Sequence, residues 1–250
     1  GLAAGFAVFQ MPMHRWQQIA PWLFAIAALL LVIVLVPGLG TKLNGSRRWL
    51  RFMGLNFQPS ELAKLAVVLY AADYTVRKAA FMGSFRKGFL PMAAVMLFAG
   101  TLLLWEPDFG AFTVITVIAM GLLFLGGMNW RLFAGLMMLL IVGFIALVLI
   151  APYRLQRVTG FLDPWADPLK TGYQLSHALI AFGRGEWIGV GLGASVEKLF
   201  YLPEAHTDFL LAVIGEELGF VGVTAVILAF FFITRRVVAI GRQAIALDRV

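Results

Sequence analysis

The sequence predicts an all-α polytopic membrane protein, because of its composition and the way apolar runs alternate with short charged clusters. Of the 250 residues, 61% are hydrophobic and only 13% are charged. A soluble domain usually has about 45–50% apolar and about 25% charged residues. A water-soluble chain of this length could not cover so much apolar surface, since a folded domain needs a polar exterior.

Runs that are long and apolar enough to cross a bilayer recur along the chain. A spanning helix needs roughly 20 mostly apolar residues. We expect one transmembrane domain over residues 1–250, with spans near 1–11, 17–37, 60–76, 89–105, 111–128, 132–151 and 209–234. Residues 1–11 look like the end of a helix already under way, so we expect the chain to be a fragment of a longer protein.

Residues 152–208 form a long connection without a span, and loops of this length are usually functional or disordered. Several aromatic residues in it predict a folded loop on the membrane surface. Short basic loops favour the cytoplasmic side, whereas long loops translocate largely regardless of charge, so we place this loop outside. Arginines that remain on that side indicate either neutralisation by nearby acids or an anionic ligand such as pyrophosphate. They are Arg47, Arg48, Arg51, Arg154 and Arg157.

Three classes of partner or cofactor are disfavoured. The net charge of +7 comes from short clusters between apolar runs rather than from one basic face, so we expect a membrane and no nucleic acid as partner. The chain has no cysteine for a disulfide or a thiolate metal site. The glycines between 183 and 193 lack the spacing of a dinucleotide fingerprint and a phosphate-binding lysine, so no nucleotide is expected.

The segment Leu202–Phe209 runs directly into an apolar helix and contains the strongest candidate for chemistry, Asp208. The helix dipole favours its anion. Desolvation raises the pKa of such a carboxyl group and a nearby arginine lowers it, so a general base is one interpretation and helix capping is the other. With Glu204 and His206 it makes a weak zinc signal, and Mg²⁺ held by pyrophosphate is easier to accommodate.

Other ionisable residues lie near the ends of the predicted spans, where charges are costly and indicate function. Lys64 lies one turn inside its helix, and its alternative role is to extend to the lipid headgroups. The run 106–108 ends another helix on the same side, either as a polar stop signal or as part of a site. Glu216 and Glu217 point away from the Asp208 face of their helix, so we expect them to pack against other helices.

Taken together, several segments resemble the SEDS family (shape, elongation, division and sporulation), and the division branch more than the elongation branch. The segments are Gly45–Trp49, Phe57–Glu61, Pro107–Gly110, Gly172–Gln174, Ala181–Gly185, Gly191–Gly193, Ser195–Lys198, Leu202–Phe209 and Gly215–Gly219. The resemblance implies a SEDS-type helical bundle of ten spans with a long structured extracytoplasmic loop. This chain would correspond to the end of the second span through the eighth.

The resemblance also implies a peptidoglycan glycosyltransferase that polymerises lipid II on the outer face of the bacterial cytoplasmic membrane during cell division. The essential carboxylate of the family falls on Asp208, and its cavity residues fall on Arg48, Glu61 and Lys64. In an inverting transfer Asp208 would be the general base. Arg48, Lys64 and either Arg157 or a divalent cation (Mg²⁺) would stabilise the departing pyrophosphate.

The further substrate-binding candidates are Asp108, Arg184 and His206. The run Arg184-Gly185-Glu186 departs from the Ser-Gly-Gly of many family members, although the division branch tolerates arginine there. The implied partners are a class B penicillin-binding protein acting as transpeptidase and bitopic activator proteins of the divisome. The alternatives are a flippase for lipid-linked precursors, which needs a polar site near the bilayer midplane, and a non-catalytic divisome scaffold.

Overall fold

A computed structural model describes residues 1–43, 46–52 and 55–246. Gly45, at the start of the first family-like segment, lies outside this part of the chain. The chain divides into two compact units, Gly1–Leu140 and Ile141–Val250, and each is described by itself.

The first unit contains six helices and a small sheet among its described residues, and its last helix crosses into the second unit. In chain order the elements are α1 Leu2–Gln10, α2 Met13–Leu35, β1 Gly40–Leu43, β2 Ser46–Phe52, β3 Leu55–Phe57, α3 Pro59–Arg77, α4 Leu90–Trp105, α5 Phe109–Leu125 and α6 Trp130–Ile150. A 3₁₀ turn at Ala79–Phe81 and a π-helical turn at Phe85–Phe89 connect α3 to α4.

The core of the first unit is built around α3, which packs against α2 and α5. Its buried face is made of small residues, Ala63, Ala66 and Ala71, which allow the neighbouring backbones to approach closely. Larger side chains such as Leu31 of α2 and Ile115 of α5 complete this core. The polar first turns of α3 are therefore held firmly against the rest of the unit.

In the described part of the chain four helices are long and apolar enough to cross a membrane: Met13–Leu35, Phe85–Trp105, Trp130–Ile150 and Leu210–Ile245; a shorter apolar helix is Phe109–Leu125. Much of their surface consists of exposed large apolar side chains, for example Leu139 and Phe231. Soluble monomers rarely expose apolar patches of this extent, so lipid must cover them. The prediction of an all-α polytopic membrane protein is confirmed, except for the small sheet.

The sheet is antiparallel with strand order β1-β2-β3, in a segment where the sequence predicts no strand. Thr41 pairs with Trp49 but Lys42 pairs with Arg47, which leaves Arg48 as an extra residue on β2. Such a bulge bends the strand and redirects the side chain at that position. The segment is too short and too basic for a span, so its backbone groups pair between strands instead.

The second unit contains α7 Pro152–Leu162, α8 Tyr173–Gly185, a π-helical turn Glu197–Tyr201 and α9 Leu210–Ala246. The first three lie inside the predicted 152–208 loop, whose assignment to the outer side stays a prediction. Between α7 and α8 the Asp163 carboxylate accepts hydrogen bonds from the amides of Trp165 and Ala166, both 3.2 Å, as a turn-forming residue does. Helix α9 continues past residue 234, and Gly219 interrupts it with φ 65° and ψ −162°.

Candidate functional site

Asp208 lies two residues before the start of α9, and its side chain is exposed. Across residues 1–43, 46–52 and 55–246, no amide or cation bonds to its carboxylate. Thr207 does not cap the helix either, because its hydroxyl donates to the carbonyl and the carboxylate of Glu204 (3.2 and 3.1 Å). The capping alternative is therefore unsupported, and Asp208 is left as an open acceptor beside a helix N-terminus.

Asp208 borders an apolar groove of about 440 Å³ along α9. The groove lies between the two parts of the helix that Gly219 separates. Leu211 and Ile214 come from the first part, and Ile227 and Phe230 come from the second. A carboxylate that borders an apolar groove suits an amphiphile with a polar reacting group and a long hydrocarbon chain.

The break at Gly219 is filled by residues 186–191, which we call the inserted segment. In an uninterrupted helix the amides of Phe220 and Val221 would donate to the carbonyls four residues earlier, those of Glu216 and Glu217. Here all four groups bond to the inserted segment instead. The bonds are Phe220 N–H to Glu186 C=O (2.9 Å), Val221 N–H to Trp187 C=O (3.1 Å), Val190 N–H to Glu216 C=O (3.0 Å) and Gly191 N–H to Glu217 C=O (3.1 Å).

Two glycines allow this close approach of backbone to backbone. A Cβ atom on Gly185 would lie 1.8 Å from the carbonyl oxygen of Gly215, and one on Gly189 would lie 2.1 Å from that of Glu217. Gly189 also has φ +81°, a conformation that other residues rarely adopt. These two of the glycines between 183 and 193 therefore allow close contact with α9 rather than forming a nucleotide-binding loop.

The side chain of Glu216 is fully buried and accepts three hydrogen bonds. They come from Arg184 Nη1 (3.1 Å), Ser195 Oγ (2.5 Å) and the amide of Val196 (3.1 Å). Arg184, predicted to bind substrate, is thus engaged in an ion pair with α9. Its role toward substrate stays a prediction.

Glu217 fixes the same stretch from the next position. Its carboxylate forms an ion pair with Lys198 and accepts a bond from the amide of Ser195 (3.4 Å). Glu216 and Glu217 therefore do not join Asp208, as the sequence indicates. They bind α8 and residues 195–198 rather than a further spanning helix, and we call this set of contacts the latch.

In the first unit the bulged residue Arg48 reaches the end of α4. Its Nε donates to the carbonyl of Glu106 (3.2 Å), and its Nη2 donates to the carbonyl of Pro107. Carbonyls at a helix C-terminus carry partial negative charge, so a guanidinium is stabilised there. Arg48 remains partly exposed, and two bonds leave most of its five N–H donors unused.

Glu106 follows α4 directly and is completely buried, and neither of its carboxylate oxygens has a hydrogen-bond partner among the residues that the structure describes. The pKa of this carboxyl group is raised to about 8, chiefly by burial and also by the Asp108 carboxylate, while Arg48 acts to lower it. A buried acid without a partner is costly to ionise, so it holds its proton at neutral pH.

Asp108 links the beginnings of two helices. It accepts bonds from Ser60 Oγ (2.9 Å), Gln58 Nε2 (3.2 Å) and, as N-cap of α5, from the amide of Ala111 (3.1 Å). Its side chain is buried, with each bond made inside the protein. Asp108 thus joins α3 to α5, and its predicted role in binding substrate stays a prediction.

The remaining candidates are more open. Lys64 and Glu61 form an ion pair of 2.8 Å on the first turns of α3, with Glu61 largely exposed. Arg157 of α7 and His206 are both exposed in the second unit. Arg48, Glu61, Lys64 and Asp108 belong to one unit, and Asp208, Arg157, Arg184 and His206 belong to the other.

The described residues form no cluster of the kind that binds a metal ion. No three His, Asp or Glu side chains cluster there in a way that could hold one. Glu204, His206 and Asp208 are thus not grouped as a three-ligand metal site, and a divalent cation held by pyrophosphate stays a prediction.

The chain matches the FtsW/RodA/SpoVE family, described as cell cycle proteins, over residues 1–249. Two similar relatives are both named probable peptidoglycan glycosyltransferase FtsW. The one from Aromatoleum aromaticum is 64% identical over 100% of this chain and 61% of its own length. The one from Burkholderia thailandensis is 59% identical over 98% of this chain and 54% of its own length. The chain thus spans less than two thirds of these relatives.

Solved structures are similar as well. One belongs to a study of the structural coordination of polymerization and crosslinking by a peptidoglycan synthase complex, with a TM-score of 0.67 and 31% identity over 94% of this chain and 65% of that one. Another is the rod shape determining protein RodA of Thermus thermophilus, with a TM-score of 0.57 and 27% identity over 94% of this chain and 60% of that one.

Proposed function

The chain belongs to the FtsW/RodA/SpoVE family of cell cycle proteins, and from that membership we propose that the protein is a peptidoglycan glycosyltransferase of the division type. It polymerises lipid II, a disaccharide-pentapeptide on undecaprenyl pyrophosphate, into glycan strands. The reaction takes place at the outer face of the bacterial cytoplasmic membrane, at the division site. The names of the relatives from Aromatoleum aromaticum and Burkholderia thailandensis support this proposal.

The observation that carries the proposal is the open carboxylate of Asp208 beside an apolar groove. A lipid-linked sugar has the matching division into a reacting polar head and a long apolar tail. The Asp208 side chain is exposed just before α9, so a substrate hydroxyl can reach it. No side chain of the described part competes for its oxygens.

The proposed reaction is an inverting displacement. A hydroxyl of the acceptor sugar attacks the anomeric carbon of the donor, the new glycosidic C–O bond forms, and the C–O bond to pyrophosphate breaks. Asp208 takes the proton of the attacking hydroxyl, as the base of an inverting glycosidase takes it from water. Undecaprenyl pyrophosphate leaves with the bonding electron pair.

The negative charge that develops on the departing pyrophosphate must be stabilised by cationic side chains, and we assign that role to Arg48, Lys64 and Arg157. Arg48 is held by two backbone carbonyls and has donors to spare, so it is preorganised. Lys64 is paired with the exposed Glu61, and exposed pairs exchange partners at little cost. We propose no step through a divalent cation.

We propose partners from the same family membership. A class B penicillin-binding protein would cross-link the strands that this protein makes, and bitopic divisome proteins would activate the pair. The likeness to a peptidoglycan synthase complex supports the transpeptidase. The flippase alternative needs open polar groups along a path, and Glu216 and Glu217 are already bonded in the latch.

The test is Asp208→Asn in the full-length protein, purified with its transpeptidase partner and supplied with labelled lipid II. Removing a general base should slow polymerisation by at least about 100-fold, as resolved on glycan gels. Asp163→Asn is the matched control, since asparagine also supports the turn at that position and activity should be retained. Near-normal polymerisation by Asp208→Asn removes Asp208 from the mechanism.

A further inference from the structure

A histidine and a glutamate form a pair in the second unit, apart from Asp208 and from the latch. His177 Nδ1 lies 2.7 Å from Glu197 Oε2, and only 19% and 8% of the two side chains are exposed. The imidazole ring stacks on Tyr201, with centroids 5.4 Å apart and an interplanar angle of 2°. Tyr173 also contacts the ring, with centroids 4.5 Å apart and an interplanar angle of 51°. The carboxylate and the two tyrosines together fix the orientation of the ring.

The pair lies at the start of the stretch that leads to Asp208. Glu197 is the first residue of the π-helical turn, and its carbonyl accepts the amide of Leu202 at 2.7 Å. Leu202 and Ala205 then pack with small apolar residues of α8 and α9. Residues 197–208 are therefore held at their beginning by His177 and in their middle by apolar contact.

The hydrogen bond between His177 and Glu197 restricts the orientation of the turn, which apolar packing alone does not do. Residues 195 and 198 are bound to α9 through the latch, whereas Glu197, between them, is bound to α8 through His177. The turn is thus fixed from two helices, and a segment fixed this way has little freedom to tilt. Catalytic groups depend on such support, since a displacement of about 1 Å can cost about 100-fold in rate.

We propose that His177 is a positioning residue for the transfer reaction: its bond to Glu197 fixes residues 197–208 and thereby the place of Asp208 at the mouth of the groove. The inference rests on the proposed function and adds to it a residue outside the family-like segments. His177 itself does not touch substrate.

The first test is His177→Phe in the full-length protein with its partner. Phenylalanine keeps a ring to stack on Tyr201 and removes the Nδ1 donor. We expect kcat for lipid II polymerisation to fall about tenfold, with KM changed by less than about twofold, because a lost bond to a charged group misplaces the base without removing a substrate contact. Hydrogen–deuterium exchange of residues 199–208 should become faster.

A second variant separates positioning from stability. His177→Phe strands a buried carboxylate, which is destabilising in itself, and adding Glu197→Leu removes that charge. The double variant should recover thermal stability while kcat stays low, because the bond between α8 and the turn is still missing. His14→Phe is the matched control, the same substitution at an exposed position of α2.

A kcat that returns to the wild-type value in the double variant overturns the inference and leaves His177 a purely stabilising role. Exchange of residues 199–208 at the wild-type rate in His177→Phe overturns it as well, whatever the activity. If the wild-type protein does not polymerise lipid II, the proposed function fails, and the exchange rates still decide whether the pair holds the segment.

Discussion

Glu106 of the first unit differs from the carboxylates that frame Asp208 in the second. In the second unit Glu216, Glu217 and Glu197 lie against Arg184, Lys198 and His177, respectively. In the first unit the buried Asp73 is paired as well, with Arg77 (2.7 Å), but Glu106 has no hydrogen-bond partner among the described residues. The paired acids of the second unit make a rigid frame for Asp208. The unpaired acid of the first unit is a group that titrates.

The largest expected effect comes from breaking the latch with Glu216→Ala. The substitution strands the Ser195 hydroxyl and the Val196 amide and leaves Arg184 without its anion. Each donor left without its acceptor inside the protein costs about 1–3 kcal/mol, whereas Arg184, with 43% of its side chain exposed, can bond to water instead. Thermal unfolding of the purified protein in detergent would measure this loss in the free energy of unfolding. A change in the free energy of unfolding under about 1 kcal/mol would show that the latch does not stabilise the second unit.

The second prediction uses the titration of Glu106. Its folded-state pKa of about 8 lies above its ordinary value, so the folded state holds a proton that the unfolded chain releases. The stability tied to that proton is complete below about pH 4.5 and is lost as pH rises through about 8. Arg48 and Asp108 are the charged groups that shift this pKa.

Glu106→Gln should therefore flatten the pH dependence of unfolding between about pH 5 and pH 9. At the alkaline end its free energy of unfolding should exceed that of the wild type by on the order of 2 kcal/mol. Melting temperatures measured across that range, in one detergent and at constant ionic strength, provide the comparison. Parallel curves for the two proteins would mean that Glu106 is hydrated or paired in solution.

The smallest effect is expected at the exposed pair of the first unit. Glu61→Ala removes the partner of Lys64, but exposed pairs contribute only about 0–1 kcal/mol. The melting temperature should stay close to that of the wild type, in contrast to Glu216→Ala. A loss as large as that of the latch variant would contradict the view that burial sets the difference between the two pairs.

Apolar helices such as α2 and α6 can be predicted from the sequence because hydropathy is a local property. The sequence does not predict the sheet at residues 40–57, because strand pairing joins separate short segments that carry several arginines. Asp208 is found from its place before an apolar helix. The open state of its carboxylate is visible only in three dimensions.

Partners far apart in sequence explain what the sequence could not show about the site. Asp108 bonds to Ser60, 48 residues earlier, and Arg184 bonds to Glu216, 32 residues later. His177 and Glu197 are separated by 20 residues with no shared motif, so nothing in the pattern singles them out. Glu106 is recognised as polar from sequence, but its complete burial depends on the packing of the whole unit.

The four bonds at Gly219 have a consequence for motion. Helix α9 cannot straighten while residues 186–191 occupy the gap, because the amides of Phe220 and Val221 are already committed to them. If those residues withdrew, four backbone groups would be stranded unless the helix closed on itself in the same event, and stranded groups are prohibitively costly away from water. Withdrawal of this stretch and closure of α9 on itself are therefore one coupled step, because neither can occur without stranding the backbone groups of the other.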